Sequence, residues 1–109
     1  ADRTSDFTNV TAVRGVNTEY HETSVAVSAD ELTVYFSTNR PHAGARGRSD
    51  IWFASRANAN DDFSDLRPVP ELSSHLDDFA GWVSPDGCQL YMSREDGNSA
   101  DIYVARKQR

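Results

Sequence analysis

The sequence predicts an all-β protein built from two copies of one sheet-forming unit, and three observations lead there. Residues 7–37 recur as residues 63–93 at a constant offset of 56. Phe7, Val13, Val27, Ser28, Asp30, Tyr35 and Ser37 meet Phe63, Val69, Val83, Ser84, Asp86, Tyr91 and Ser93, and Val10, Val34 and Phe36 meet Leu66, Leu90 and Met92. A repeat of this length marks a supersecondary unit that needs neighbours to cover its apolar faces. Apolar residues within each copy fall in short runs of period two. Turn residues separate the runs at spacings that leave no room for a helix of ordinary length.

Taken in order, the first copy predicts strands over 7–13, 23–28, 32–37 and 51–54, and the second over 63–69, 79–84, 88–93 and 102–105. A polar approach bearing Asp or Asn precedes the first run of each copy. The third run alternates most cleanly, with Leu32, Val34 and Phe36 on one face and Thr33, Tyr35 and Ser37 on the other. Both faces are partly apolar, which fits a sheet packed between two others. Ile51 and Ile102 open the fourth runs, where the offset drops to 51 because the preceding loop is five residues shorter. Between the second and third runs, Ser84-Pro85-Asp86-Gly87 places Pro where φ near −65° is wanted and Gly where φ turns positive. The first copy has Glu31 where the second has Gly87, so its turn is expected to be strained or differently shaped.

Composition bounds the partners. The 109 residues fit one small domain, with 38% hydrophobic and 26% charged residues and no apolar run near the ~20 residues needed to cross a bilayer. Seventeen acidic against 11 basic residues give a net charge of −6, which argues against nucleic acid. Arg40, Arg46 and Arg48 gather in one glycine-containing stretch, which reads as a solvated loop or as a local anion contact. Cys88 is the sole cysteine and matches Leu32, so it reads as a small core hydrophobe rather than a disulfide partner or metal ligand. No signal-peptide pattern is visible, and an opening on Ala1 fits a processed or an excised segment.

Ser84-Pro85-Asp86-Gly87, Leu90-Tyr91-Met92-Ser93 and Asp101-Ile102-Tyr103-Val104-Ala105 recur in the first copy as Ser28-Ala29-Asp30, Val34-Tyr35-Phe36-Ser37 and Asp50-Ile51-Trp52, with Asn39-Arg40-Pro41 between. This pattern resembles the TolB-type, WD-repeat-like β-propeller repeat of bacterial envelope and secreted proteins. Val16-Asn17-Thr18-Glu19-Tyr20 looks like that family's link into the next blade. The resemblance covers nearly the whole chain, and loop 94–100 departs from it by lacking the Asn-Arg-Pro-Gly type of sequence.

The resemblance implies four-stranded antiparallel blades with the second run innermost and the first outermost. Residues 22–69 would then form a complete blade, residues 70–109 a blade lacking its outer strand, and residues 1–21 an outer strand and link. The two apolar edges invite strand addition. Phe7, Val10 and Val13 of one chain are expected to lie against Ile102 and Val104 of the next, making a head-to-tail homo-oligomer. The family's usual six blades favour a homotrimer; the other donor of the missing strands would be the remaining blades of a longer parent. The implied setting is periplasmic or secreted, and the implied role a non-catalytic scaffold binding a protein or peptide. The alternative is a gating or substrate-guiding portion of a bacterial hydrolase or peptidase whose catalytic domain lies elsewhere.

Candidate chemistry is sparse. No nucleophile elbow or Ser-His-carboxylate pattern appears, so no catalysis is expected, nor any cofactor. The loop from Asp96 to Asp101 gathers oxygen ligands but lacks EF-hand spacing, and Asp101, like Asp50, fits a strand-opening Asp bonded to nearby amides, so no metal is expected. Glu22 and Asp78 match each other at the entry to the inner strand; in a closed ring they would line the channel mouth with carboxylates, which attract a cation or basic peptide or simply stay hydrated. Trp52 with Tyr103 and Tyr35 with Tyr91 read as packing positions, whereas Trp82 matches Ala26 and reads as gap filling or a ligand platform. By the resemblance, ligand-facing loops would hold Tyr20, His21, Glu22, Arg40, His42, Arg46, Arg48, His75, Asp77, Asp78 and Arg94.

Overall fold

The computed structural model describes residues 10–41 and 48–107, and the chain in it is all-β with two antiparallel sheets. The first sheet runs β1 (Glu22–Val27), β2 (Thr33–Thr38), β3 (Asp50–Ser55) and β4 (Ser64–Pro68) in chain order. The second runs β5 (Asp77–Val83), β6 (Gln89–Glu95) and β7 (Ala100–Arg106). Between them lies one 3₁₀ turn, Pro70–Leu72, opened by a proline whose missing N–H costs nothing there. Each expected strand from residue 22 onward forms, displaced by at most two residues at its start.

The first expected run behaves differently. Its part over 7–9, with Phe7, lies outside the described residues, and residues 10–13 form no strand. Val10 is 95% exposed and Val13 51%. An extended segment with no neighbouring strand has no ladder to join. Just beyond it the chain is held: the Phe63 N–H donates to the Arg14 carbonyl at 3.1 Å, and Arg14 pairs with Asp62 at 2.8 Å. Gly15 has φ +100°, and a Cβ there would stand 2.1 Å from the Phe63 carbonyl oxygen.

The two hairpin turns share one hydrogen-bond plan. Ser28 Oγ donates to Asp30 at 2.6 Å and the Leu32 N–H to the same oxygen at 3.0 Å; Ser84 Oγ and the Cys88 N–H repeat this on Asp86 at 2.6 and 2.9 Å. Glu31 takes φ +63° where Gly87 takes +75°. The first turn is therefore strained and not differently shaped. Cys88 is half-buried at the head of β6, with its thiol 3.6 Å from the Asp86 carbonyl, so it is not the core hydrophobe expected.

Each sheet carries a bulge in its first strand, between Thr23 and Val25 in β1 and between Ala80 and Trp82 in β5, and the first sheet shifts register again between Phe53 and Ser55 of β3. A bulge restores alternation after one extra residue. In the first sheet Ala26 and Tyr35 then face one way, Val25, Val27, Val34 and Phe36 the other. The face carrying Ala26, Tyr35 and Ile51 packs on Ala80, Val83, Leu90 and Met92 of the second sheet, with Leu72 closing the cluster. On the far side of the first sheet, Val16, Val34, Phe36, Ala54 and Phe63 make a second cluster, flanked by Trp52 and Leu66. Polar bonds also join the sheets: Asp78 N–H to the Ser49 carbonyl at 3.0 Å and Ala80 N–H to Ser37 Oγ at 3.1 Å.

Candidate functional site

The starts of β1, β3, β5 and β7 and the ends of β2 and β6 gather at one end of the sheets, because antiparallel neighbours reverse there. This is the end where the sequence places its ligand-facing loops. His42 and Arg46 lie outside the described residues. Tyr20, His21 and His75 are exposed.

The carboxylates at this end are committed elsewhere. Glu22 accepts from the Thr18 N–H at 2.9 Å, from Thr18 Oγ1 at 2.6 Å and from Thr38 Oγ1 at 3.1 Å, and meets Arg40 at 3.4 Å. Burial pushes its pKa up, but the Thr18 and Thr38 hydrogen bonds and the Arg40 charge together outweigh that, and the carboxyl sits below its ordinary value. Asp78 is fully buried and accepts from the Ser74 N–H at 2.7 Å, Ser74 Oγ at 2.9 Å and Arg94 Nε at 2.6 Å. Both carboxylates are thus engaged within the chain, through hydrogen bonds that the sequence reading of them as channel-mouth or hydrated acids did not include. Thr18 with Glu22 and Ser74 with Asp78 form the same four-residue brace, which fixes the entry into β1 and β5.

Both arginines serve this brace. Arg40 donates to the Val16 carbonyl at 2.7 Å and lies 5.2 Å over the Phe36 ring and 4.8 Å over Trp52. Arg94 lies 4.9 Å over Tyr103, the repeat partner of Trp52. Thr18 recurs as Ser74 at the offset of 56, a signal that could have pointed to the brace but does not by itself show it. The equivalence of Arg40 with Arg94 gives no such signal, since they do not align. Asp77 is also occupied, by Arg48 at 2.6 Å and the Ser49 N–H at 3.0 Å. The loop after β6 folds on itself, with Asp96 accepting the Asn98 and Ser99 N–H groups at 2.9 Å, which hold its carboxyl below the usual range. Among the described residues, no cluster of His, Cys, Asp and Glu is placed to hold a metal ion.

What remains open to a partner lies on the sheets themselves. The outer edge of β3 is covered by β4, through Trp52 with Pro68 and Phe53 with Arg67. The outer edge of β7 has no strand beside it among the described residues, and Ile102 is 74% exposed. Val104 is half-buried on the same strand. The second sheet's far face shows Trp82, 53% exposed and 5.8 Å from the Tyr91 ring. The first sheet's far face holds a groove of about 650 Å³ between residues 11–17 and β1, with Val25 and Val27 on its wall. Among the described residues, no helix is long and apolar enough to cross a membrane. In comparisons with known proteins, no family model, curated protein or solved structure matches the chain.

Proposed function

We propose that the chain is a two-blade segment of a β-propeller and acts as a non-catalytic binding scaffold that assembles head to tail with its own copies. One observation carries the reading: among the described residues no strand lies beside β7, where its repeat partner β3 carries β4. An exposed edge of this kind accepts a strand from another chain. The donor is residues 7–13, the repeat partner of β4, whose described part is unpaired and exposes Val10 and Val13. Donor and acceptor sit at opposite ends of the chain, so the contact is heterologous and must close into a ring or run on. Three copies give the six blades of the family it resembles. A protein or peptide ligand and a periplasmic or secreted setting follow from the same resemblance.

Sedimentation velocity tests this directly. The expected mass is three times the 12.1 kDa of one chain. A well-folded monomer at micromolar concentration overturns the reading, as does undiminished assembly after deletion of residues 1–13.

A further inference from the structure

The contact between the two sheets is a template for a second contact that the chain carries in two halves. Ala26, Tyr35 and Ile51 present one surface of the internal contact, and Val83, Leu90 and Met92 present the other. Their repeat partners are Trp82, Tyr91 and Ile102 on the far face of the second sheet, and Val27, Val34 and Phe36 on the far face of the first. Registers agree: Ala26 stands opposite Tyr35 as Trp82 stands opposite Tyr91, and Ile51 opposite Ser37 as Ile102 opposite Ser93. Trp82, Tyr91 and Ile102 thus face outward on the second sheet, and on the first sheet Val27 is open while Val34 and Phe36 are already covered by Val16 and Phe63.

One position breaks the copy. Ala26 is only 3% exposed and packs against the second sheet. Its counterpart is a tryptophan, left half in water. The corresponding complement also differs, since the groove of about 650 Å³ on the first sheet is larger than the indole needs, and Val25 and Val27 remain 57% and 46% exposed beside it.

We infer that Trp82 is the anchor of self-assembly, seating in the Val25–Val27 groove on the first sheet of another copy of this chain. This rests on the head-to-tail reading and names its specificity. An alanine at the internal contact and a tryptophan at the external one keep the two contacts from exchanging. The occupant is a second copy because Val27 is the repeat counterpart of Val83, on the face that the second sheet turns to Ala26 in the internal contact, and it stands exposed beside the groove on the same chain that exposes Trp82. A large aromatic in a pocket at the centre of an interface carries a disproportionate share of its affinity.

The test uses two variants of exposed residues, Trp82→Asp and Val27→Asp, each checked for an unchanged circular dichroism spectrum. Either alone raises the dissociation constant of self-association by about 30-fold or more, the size of an interface hot spot. Mixed one to one, they form a complex of two chains and nothing larger, since only one intact anchor and one intact groove remain. Failure of the mixture to associate overturns the inference. If Trp82→Asp assembles like the parent while deletion of residues 1–13 abolishes assembly, the anchor is wrong and the strand-exchange scaffold stands. A parent chain that is monomeric removes both.

Discussion

At the start of β1, Glu22 draws its countercharge from Arg40, two residues past the end of β2; at the start of β5, Asp78 draws it from Arg94, within β6. The two guanidiniums nevertheless reach the same place, over the aromatic ring that Trp52 provides in one copy and Tyr103 in the other. The repeat thus preserves an interaction and lets the residue that supplies it move. The difference lies in how widely the charge is shared. Arg40 also donates to the Val16 carbonyl and Thr38 and stacks on two rings, whereas Asp78 and Arg94 make a short 2.6 Å contact with the carboxylate wholly buried.

Removing the acid from each brace breaks that comparison open. Asp78→Ala takes away the buried carboxylate that Arg94 and the Ser74 N–H and hydroxyl all donate to, and costs about 3–5 kcal/mol. Glu22→Ala costs less, about 1.5–3 kcal/mol, because Arg40 retains carbonyl, hydroxyl and aromatic partners. Urea unfolding of the two variants checks the order. Equal losses, or a larger one for Glu22→Ala, would show that sharing does not soften the loss.

Acid sharpens the same contrast by a smaller amount. The folded-state pKa of Glu22 lies below its ordinary value of 4.5, so its stabilisation is complete above that value and fades as pH falls through the folded pKa. Replacement by Gln in Glu22→Gln removes that titration. The expected result is a shallower loss of stability between about pH 5 and pH 3 than in the parent, measured as unfolding free energy against pH. Parallel curves would mean that Glu22 titrates alike in the folded and unfolded chains.

The strands and turns were legible in the sequence because they rest on local rules: alternation set β2 and β6, and Ser-Pro-Asp-Gly set one hairpin and pointed to strain in the other. The braces were half legible. Thr18 and Glu22 repeat as Ser74 and Asp78, but the sequence shows only that the acids recur, and an acid at a strand entry reads equally as a ligand or as a buttress. Which it is depends on the arginine that folds back on it, and Arg40 and Arg94 occupy different repeat positions. The far-face groove was not legible at all, since residues 11–17 and Phe63 wall it across nearly fifty residues of chain. Trp82 could be singled out as a mismatch with Ala26, but only the packing of the sheets shows that one faces inward and the other outward.

The smallest expected effect lies in the two hairpin turns, where backbone bonding is the same and only one side chain differs. Glu31 N–H donates to the Ser28 carbonyl at 2.9 Å and Gly87 N–H to the Ser84 carbonyl at 2.8 Å, so neither turn relaxes its plan to suit its residue. Holding a side chain at φ +63° costs about 1–2 kcal/mol. Glycine removes that strain but adds about 0.4–1 kcal/mol of chain entropy to the unfolded state. Glu31→Gly should therefore stabilise the protein by about 0.5–1 kcal/mol, the difference of those two effects. Arg56 does not oppose it, because its Nε bonds the Glu31 carbonyl at 2.9 Å and leaves the side chain aside. The mirror change, Gly87→Glu, should lose a similar amount by chemical denaturation. A neutral Glu31→Gly with a costly Gly87→Glu would mean that the first turn has already found compensation for its strain in the Arg56 contact or the neighbouring strands.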